Sequence, residues 1–470
     1  MIFNFSVLAR CAPFVCVGVF GGICHASQPT VVVRSAEELV HAVKVAKPGA
    51  AIALANGRYK NFQVSLDGVG NKNNPILIQA QKPGKVVLTG ESSVEINGSW
   101  LVFSGFVFTD GNPPSGKNAN GASAIKLKGT HNRVTETAII DYSLNFKAPP
   151  NVDPAKAGYH KWFGIWGQHN RVDHNLFRGK KGGGVLLTVW RDTSEPNFHQ
   201  IDHNAFIDVA YGNEANGWET IRVGDSTQSQ SSSNTVVEHN YFERCDGEIE
   251  IISNKSGGNI YRHNTFINSR GTLTLRHGTG ATVNDNVFII DDKSFGGGIR
   301  VSDKNHVIRN NYVEGARGPS PHWGGIVLLA HSVDAPLNDY WPVENVLLES
   351  NSVINSTNSV VIGAGRAAQS PVSATFRNNV ICNTLGRTSE SSLFNRVPSK
   401  AGRISLVLEG NLLCGATAGL LTDELGDSTF AVDALIKTGS YWVISQRRRG
   451  FQPLRQTSMA DVGPRSFTPP

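Results

Sequence analysis

The sequence predicts an all-β chain wound into a parallel β-helix, on three observations. The first is a recurring asparagine followed two places on by an apolar residue. It appears at His174-Asn175-Leu-Phe177, His203-Asn204-Ala-Phe206, His239-Asn240-Tyr-Phe242, His263-Asn264-Thr-Phe266 and Asp285-Asn286-Val-Phe288. It continues at Asn310-Asn311-Tyr-Val313, Ser350-Asn351-Ser-Val353, Asn378-Asn379-Val-Ile381 and Gly410-Asn411-Leu-Leu413. The second is that the steps between successive asparagines range from 22 to 40 residues. Helical repeats of fixed length do not vary so much, whereas a coil whose turns carry short strands and loops of differing length does. The third is that short polar/apolar alternations, the period of a half-buried strand, fill the intervals, and that 49 glycines in 470 residues imply many turns. A propeller blade needs a longer and more even repeat.

Taken in order, the chain opens with Arg10, the mainly apolar run Cys11–Phe20 and a small-residue cleavage site at Cys24-His-Ala26. Residues 1–26 are expected to be a signal peptide, leaving a β-helix domain over 27–470 in a periplasmic or extracellular protein. The apolar run is short for a transmembrane helix and no later segment is long enough for one, so no membrane partner is expected. Loss of Arg10 takes the net charge from +6 to +5, which suits an anionic polysaccharide; no nucleic-acid partner is expected, and the chain is read as a monomer. Ser35-Ala-Glu-Glu38 is a capping box that opens a short amphipathic helix, a cap over about 34–47. Strand-like runs follow at Ala51–Leu54, Pro75–Ala80 and Val86–Thr89, and Gly105-Phe-Val107 and Thr137-Ala-Ile139 look like degenerate copies of the repeat. In the repeats the asparagine is expected to take the left-handed backbone of a bend and to hydrogen-bond along the coil, with the phenylalanine stacked inside. Cys382 and Cys414 share the same offset from Asn379 and Asn411, so they are expected to meet on adjacent turns and pair; Cys245 is left as a buried thiol. No cysteine or histidine spacing resembles a zinc site.

A second strand runs through the same turns: Val185–Arg191, Glu219–Gly224, Glu248–Ile252, Thr272–Arg276, Gly298–Val301 and Gly325–Leu329. With Ile249 and Ile251 inward, Glu248 and Glu250 project from one face. The outward column then reads Trp190, Arg222, Glu248, Glu250, Arg276 and Arg300, with Lys255 close by. Two readings of the carboxylates stay open. They are solvated and neutralised by the arginines, or, with the carbonyl of Asn216, they form an all-oxygen site that favours calcium over zinc or copper. Lysine beside arginines and a divalent cation is a base with a depressed pKa, and arginine grips carboxylates. That pairing suits removal of a proton next to a neutralised carboxylate.

Glu248-Ile-Glu250, Asn254-Lys255-Ser256, Arg276-His277-Gly278 and Gly297-Gly-Ile-Arg300-Val, in this order, resemble polysaccharide lyase family 6, which contains calcium-dependent alginate lyases and chondroitinase B. The likeness runs from about Ser35 to the end and is densest between Asn213 and Gly315. It implies a right-handed parallel β-helix and chain cleavage by β-elimination, leaving a 4,5-unsaturated uronate at the new non-reducing end. Lys255 would abstract the C5 proton and Arg276 would protonate the departing O4. Asn216, Glu248 and Glu250 match the Ca2+ positions, and His277 and Arg300 match positions that hold the sugar carboxylate. Arg222 and Lys181 are added as substrate-binding residues from the charged stripe alone. Alginate is the expected substrate, with dermatan sulfate, or a non-catalytic polysaccharide-binding β-helix, as the alternatives.

Overall fold

The computed structural model describes residues 30–470 except 115–122, 144–159, 214–215, 292, 333, 335, 366–369, 384–391, 398–400, 415–427, 431–434, 444–449 and 453–454. The expected signal peptide lies outside the described residues. The rest is a right-handed parallel β-helix: three long parallel sheets of 14, 12 and 14 strands, to which successive turns of the coil add short strands. Most strands are three to seven residues long, and the apolar residues they turn inward form one continuous core from Val33 to Leu413.

The bend between the first and third sheets shows how the repeat folds. The residue before each asparagine is the left-handed one: His174 (φ 53°), His203 (53°), His239 (52°), His263 (54°), Asp285 (60°), Asn310 (51°), Ser350 (56°) and Asn378 (53°). The asparagine itself was expected to take that conformation. Instead it turns its amide into the coil. The Oδ1 of Asn204 accepts from the backbone N–H of Asn175 at 3.1 Å, and the contact recurs at 2.9 Å from Asn204 to Asn240 and at 3.0 Å from Asn240 to Asn264. It continues in the same way to Asn411. A backbone donor buried at a bend would otherwise lack a partner. Two residues on, Phe177, Phe206, Phe242, Phe266 and Phe288 stack face to face, with centroids 5.0, 4.9, 4.6 and 4.4 Å apart, close to the strand spacing of about 4.8 Å.

The ends are finished differently. Helix Ala36–Val45, capped by Ser35 Oγ accepting from the Glu38 N–H, buries Leu39 and Val43 over the first turns. Towards the other end Cys382 and Cys414 sit in register and form a disulfide, with Cα atoms 4.5 Å apart, while Cys245 is a free, buried thiol. The described part of 450–470 does not continue the coil. It runs back along it, bonding Asn378 through Gly450, His263 through Thr457, His203 through Gly463 and Glu136 through Ser466. Val462 and Phe467 cover Val107, Ala138, Ile140, Leu176, Ala205 and Ile207 on the outer face of the third sheet.

At the other corner histidines take over the asparagine's task. His199 Nδ1 accepts from Asn170 N–H at 3.1 Å and His306 Nδ1 from Ala281 N–H at 3.1 Å. Burial pushes the two imidazoles down to about 3 and about 4. The unfolded chain therefore binds these protons first as pH falls below about 6.5, so the stability that the neutral rings contribute is present above that pH and drains away towards pH 3–4. We expect urea-unfolding free energy to fall through this window, each histidine adding a slope of up to about 1.4 kcal/mol per pH unit. The slope should flatten in His199→Asn and His306→Asn.

Candidate active site

The two strands that carry the charged motif, Glu250–Lys255 and Gly271–His277, are neighbours in the 12-stranded sheet. Their pairing is not uniform. Glu250 faces Thr272 and Ile252 faces Leu273, so Ile251 is an extra residue; Asn254 faces Leu275 and Lys255 faces His277, so Arg276 is extra on the other strand. Two β-bulges thus bracket the segment, and a bulge re-aims the side chains around it. The outward column differs from the expected one for this reason. Arg222 is level with Ser253, Thr274 and Arg300, not with Glu248 or Glu250. Both Ile251 and Ile252 enter the core, whereas Ile249 is only half-buried.

Nor is the cluster a solvated patch. Glu248 is 6% exposed, Glu250 2% and Lys255 7%. Lys255 Nζ lies 3.6 Å from Glu219 Oε1, and Arg276 Nη1 lies 3.6 Å from Glu250 Oε1. Glu248 Oε1 accepts the backbone N–H groups of Gly217 and Trp218 at 3.1 and 3.2 Å. Burial, together with Glu219 and Glu250 alongside, pushes the Glu248 carboxyl well above its ordinary range. Burial alone would do the same to Glu250, but Arg276, Lys255 and Arg300 outweigh it and hold that carboxyl low. Arg276 is buried yet held more firmly protonated by Glu250. Burial, then the charges of Arg276 and Lys255, push the His277 imidazole down to about 3, so it is neutral.

Two further residues belong to the site and were not read from the sequence. Glu219 is 1% exposed. It stands three residues before Arg222 as Glu250 stands three before Ser253, an equal offset on paired strands that could have flagged it. Tyr340 arrives on the loop after the strand Ile326–Leu329, within the 40-residue step from Asn311 to Asn351; the length of that step was the signal. Its hydroxyl donates to Glu250 Oε1 at 3.3 Å and accepts from Arg300 Nη2 at 3.4 Å, and its ring lies 4.9 Å from the Arg276 guanidinium and 4.5 Å from a stacked His331. Asn216, by contrast, is exposed at the edge of the site. Lys181 is not brought to the cluster: it is exposed and lines a separate cavity of about 350 Å³ with Asp141, Arg178, Asp208, Arg244 and Asp246. The lysine before it, Lys180, points inward and donates to Gly182 O at 2.7 Å.

Buried polar atoms without a hydrogen-bond partner gather here: both oxygens of Glu219, Oε2 of Glu250, both ring nitrogens of His277, Nε of Arg222 and Arg276, and Nε and Nη1 of Arg300. Native proteins leave few such atoms unsatisfied, so a concentration of them marks a place where a ligand completes the bonding. Glu219 and Glu250 stand close enough to Glu248 to push its carboxyl up by like charge, and a cation among the three would relieve that repulsion. Among the described residues no three acidic, histidine or cysteine side chains already converge as a cage. The donors present are oxygens, and they fit a hard cation such as calcium.

Residues 33–398 match the family model described as chondroitinase B. No curated protein matches the chain. Among solved structures it is similar to the polysaccharide lyase family 6 alginate lyase AlyGC, at 34% identity and a TM-score of 0.82 over 94% of this chain and 59% of that one. It is similar also to alginate lyase AlyF-OU02 in complex with G6 (25% identity, TM-score 0.79, 93% of this chain and 94% of that one). A third likeness is to a mannuronic acid specific family 6 lyase from human gut microbiota (26% identity, TM-score 0.73, 86% and 91% of the two chains).

The position of Lys255 depends on the residue before it. Asn254 lies inside the coil, where Nδ2 donates to His277 O at 2.7 Å and Oδ1 accepts from Asn259 Nδ2 and Tyr261 OH, both at 2.7 Å. Asn254→Ala takes away the acceptor of the buried Tyr261 hydroxyl and the side-chain donor to His277 O, and we expect it to lower the urea-unfolding free energy by about 2–4 kcal/mol. Asn254→Asp should recover part of that loss, because its carboxylate still accepts from Asn259 and Tyr261.

Proposed function

The chain belongs to the chondroitinase B family, polysaccharide lyase family 6, and from that premise we propose that it is an exported, monomeric alginate lyase that cleaves by β-elimination. The observation that carries the reading is the buried, partly unsatisfied cluster in which Lys255 faces Glu219 and Arg276 faces Glu250 on bulged neighbouring strands.

The difficulty of the reaction is that the C5 hydrogen sits beside an ionised carboxylate, so its removal builds a second negative charge there. Fixed positive charge at that carboxylate is worth most in a site closed to water. Arg300 and the neutral His277 would hold the carboxylate, with Arg222 on the neighbouring turn. Lys255, in its unprotonated form, would take the C5 proton, and Arg276 would protonate the departing O4 directly or through water. Asn216, Glu248 and Glu250, joined by Glu219, would hold calcium, and the bound ion would neutralise the substrate carboxylate. Nothing in this division needs the acid and base carboxylate pair of a glycoside hydrolase. Alginate is favoured because two of the similar solved structures are described as alginate lyases and a third as mannuronic acid specific; dermatan sulfate stays in the test because the family model carries the name of chondroitinase B.

The experiment is an absorbance assay for the unsaturated product on alginate, polymannuronate, pectate and dermatan sulfate, with and without chelator. We expect absorbance to rise on alginate, to be lost on exhaustive chelation and to return with calcium. Lys255→Ala should lower kcat by about 10²–10⁴-fold. No absorbance on any substrate, with the polymer recovered intact, overturns the lyase reading; full activity after chelation removes calcium from it.

A further inference from the structure

The strands that precede the site carry an aromatic and cationic line of which the chemistry above uses only Arg222. The pairing runs without a break from Ser123–Leu127 through Lys161–Ile165, Leu187–Val189 and Ile221–Gly224 to Glu250–Lys255. Lys126, Gly164, Thr188, Arg222 and Ser253 are level with one another. Two places further along each strand is a second column. Trp166 follows Ile165, its N–H bonded to Leu127 O, and Trp190 follows Val189, its N–H bonded to Ile165 O, both at 2.8 Å. Gly224 then pairs with Lys255. Lys128, Trp166, Trp190, Gly224 and Lys255 are therefore successive members of one column, ending on the proposed base.

We propose that Lys128, Trp166 and Trp190, with Lys126 and Arg222 beside them, form a track that binds the uronate chain beyond the sugar being cleaved; this rests on the polyuronate reading above. The two indoles are stacked, with centroids 5.7 Å apart and planes 13° from parallel. Lys128 Nζ lies 5.7 Å from the Trp166 ring, and Lys161 Nζ and the Arg222 guanidinium lie 5.2 and 5.1 Å from the Trp190 ring. A uronate offers the complement: apolar C–H groups on the sugar ring and a carboxylate on its rim. Glu95 is the counter-charge at the far end, 2.8 Å from Lys128 and 3.4 Å from Lys126.

Two glycines keep the floor of the track low. A Cβ on Gly164 would come within 2.5 Å of the Trp166 ring, so the indole rests where a side chain is missing. Gly224 has φ +90°, and a Cβ there would lie 2.5 Å from Lys255 O, so the column position between Trp190 and Lys255 carries no side chain of its own. At about 4.8 Å per turn, Trp190 is about 10 Å and Trp166 about 14 Å from the Lys255 turn, within the length of a short oligosaccharide. A ladder that served packing alone would need no ring of cations. It would also not leave Trp190 Nε1 and Thr188 Oγ1 without hydrogen-bond partners, as they are here.

The test compares wild type, Trp166→Ala/Trp190→Ala and Trp166→Phe/Trp190→Phe, with thermal unfolding as a check on folding. Affinity for polymeric alginate is read in gels, and kinetics are read on the polymer and on the shortest oligosaccharide cleaved. We expect the alanine pair to raise KM for polymer about tenfold or more while kcat moves less than about threefold, and to weaken retention in the gel. Its loss on the short oligosaccharide should be several times smaller, and the phenylalanine pair should recover most of the polymer affinity. A polymer KM within about twofold of wild type, or an equal loss at every chain length, overturns the track. The gel separates this from failure of the lyase reading: a wild type that binds polymer without cleaving it sinks the lyase and leaves affinity as the readout of the tryptophans.

Discussion

Everything in this molecule depends on each turn lying in fixed register on the one before it. The asparagine amides enforce that register. Each Oδ1 accepts the backbone N–H of the preceding turn's asparagine, and each Nδ2 also donates to the next Oδ1, as from Asn204 to Asn240 at 3.0 Å. Both contacts lie inside the coil, where an unmet amide costs more than a met one contributes. A slip of one residue in any turn would break the ladder on both sides and send inward side chains outward. Side chains far apart in sequence, such as Lys255 and Glu219, can therefore be held in one arrangement.

Against that uniform background the site is a local departure. The bulges at Ile251 and Arg276 interrupt pairing where the charges gather. Glu248 and Glu250 are pulled into a buried cluster with Glu219, and Arg276 is turned towards Glu250. Tyr340, carried in from another turn, closes the cluster from above through Glu250, Arg276 and Arg300. Three carboxylates, one lysine and two arginines in so little space leave bonds unmade, and an anionic sugar with a hard cation supplies the kind of partners that are missing. The structure is least self-satisfied where the proposed chemistry occurs.

The coil was legible because it repeats: the nine asparagines, the phenylalanine two places on and the match of Cys382 to Cys414 all follow from periodicity. Periodicity could not show which residue of each corner is left-handed, since histidine, aspartate and serine occupy that place in different turns. The motif grouped Lys255, Arg276 and Glu250, and they do lie together, but their neighbours were misjudged, because two extra residues shift the register and an alternation pattern assumes none. Lys181 was assigned to the groove on charge alone and sits in a different cavity. Tyr340 and Glu219 depend on a long loop and on cross-strand alignment, which single-strand patterns do not carry.

The most direct measurement of the central claim is the mass of the products released from alginate. Elimination moves a proton from C5 and breaks the bond to C4 without consuming water. Each new non-reducing fragment should then be lighter by one water than the hydrolysis product of equal length, and it should absorb in the ultraviolet. Fragments that have gained a water at every cut, with no absorbing species, would contradict the assignment of Lys255 and Arg276 to proton transfer.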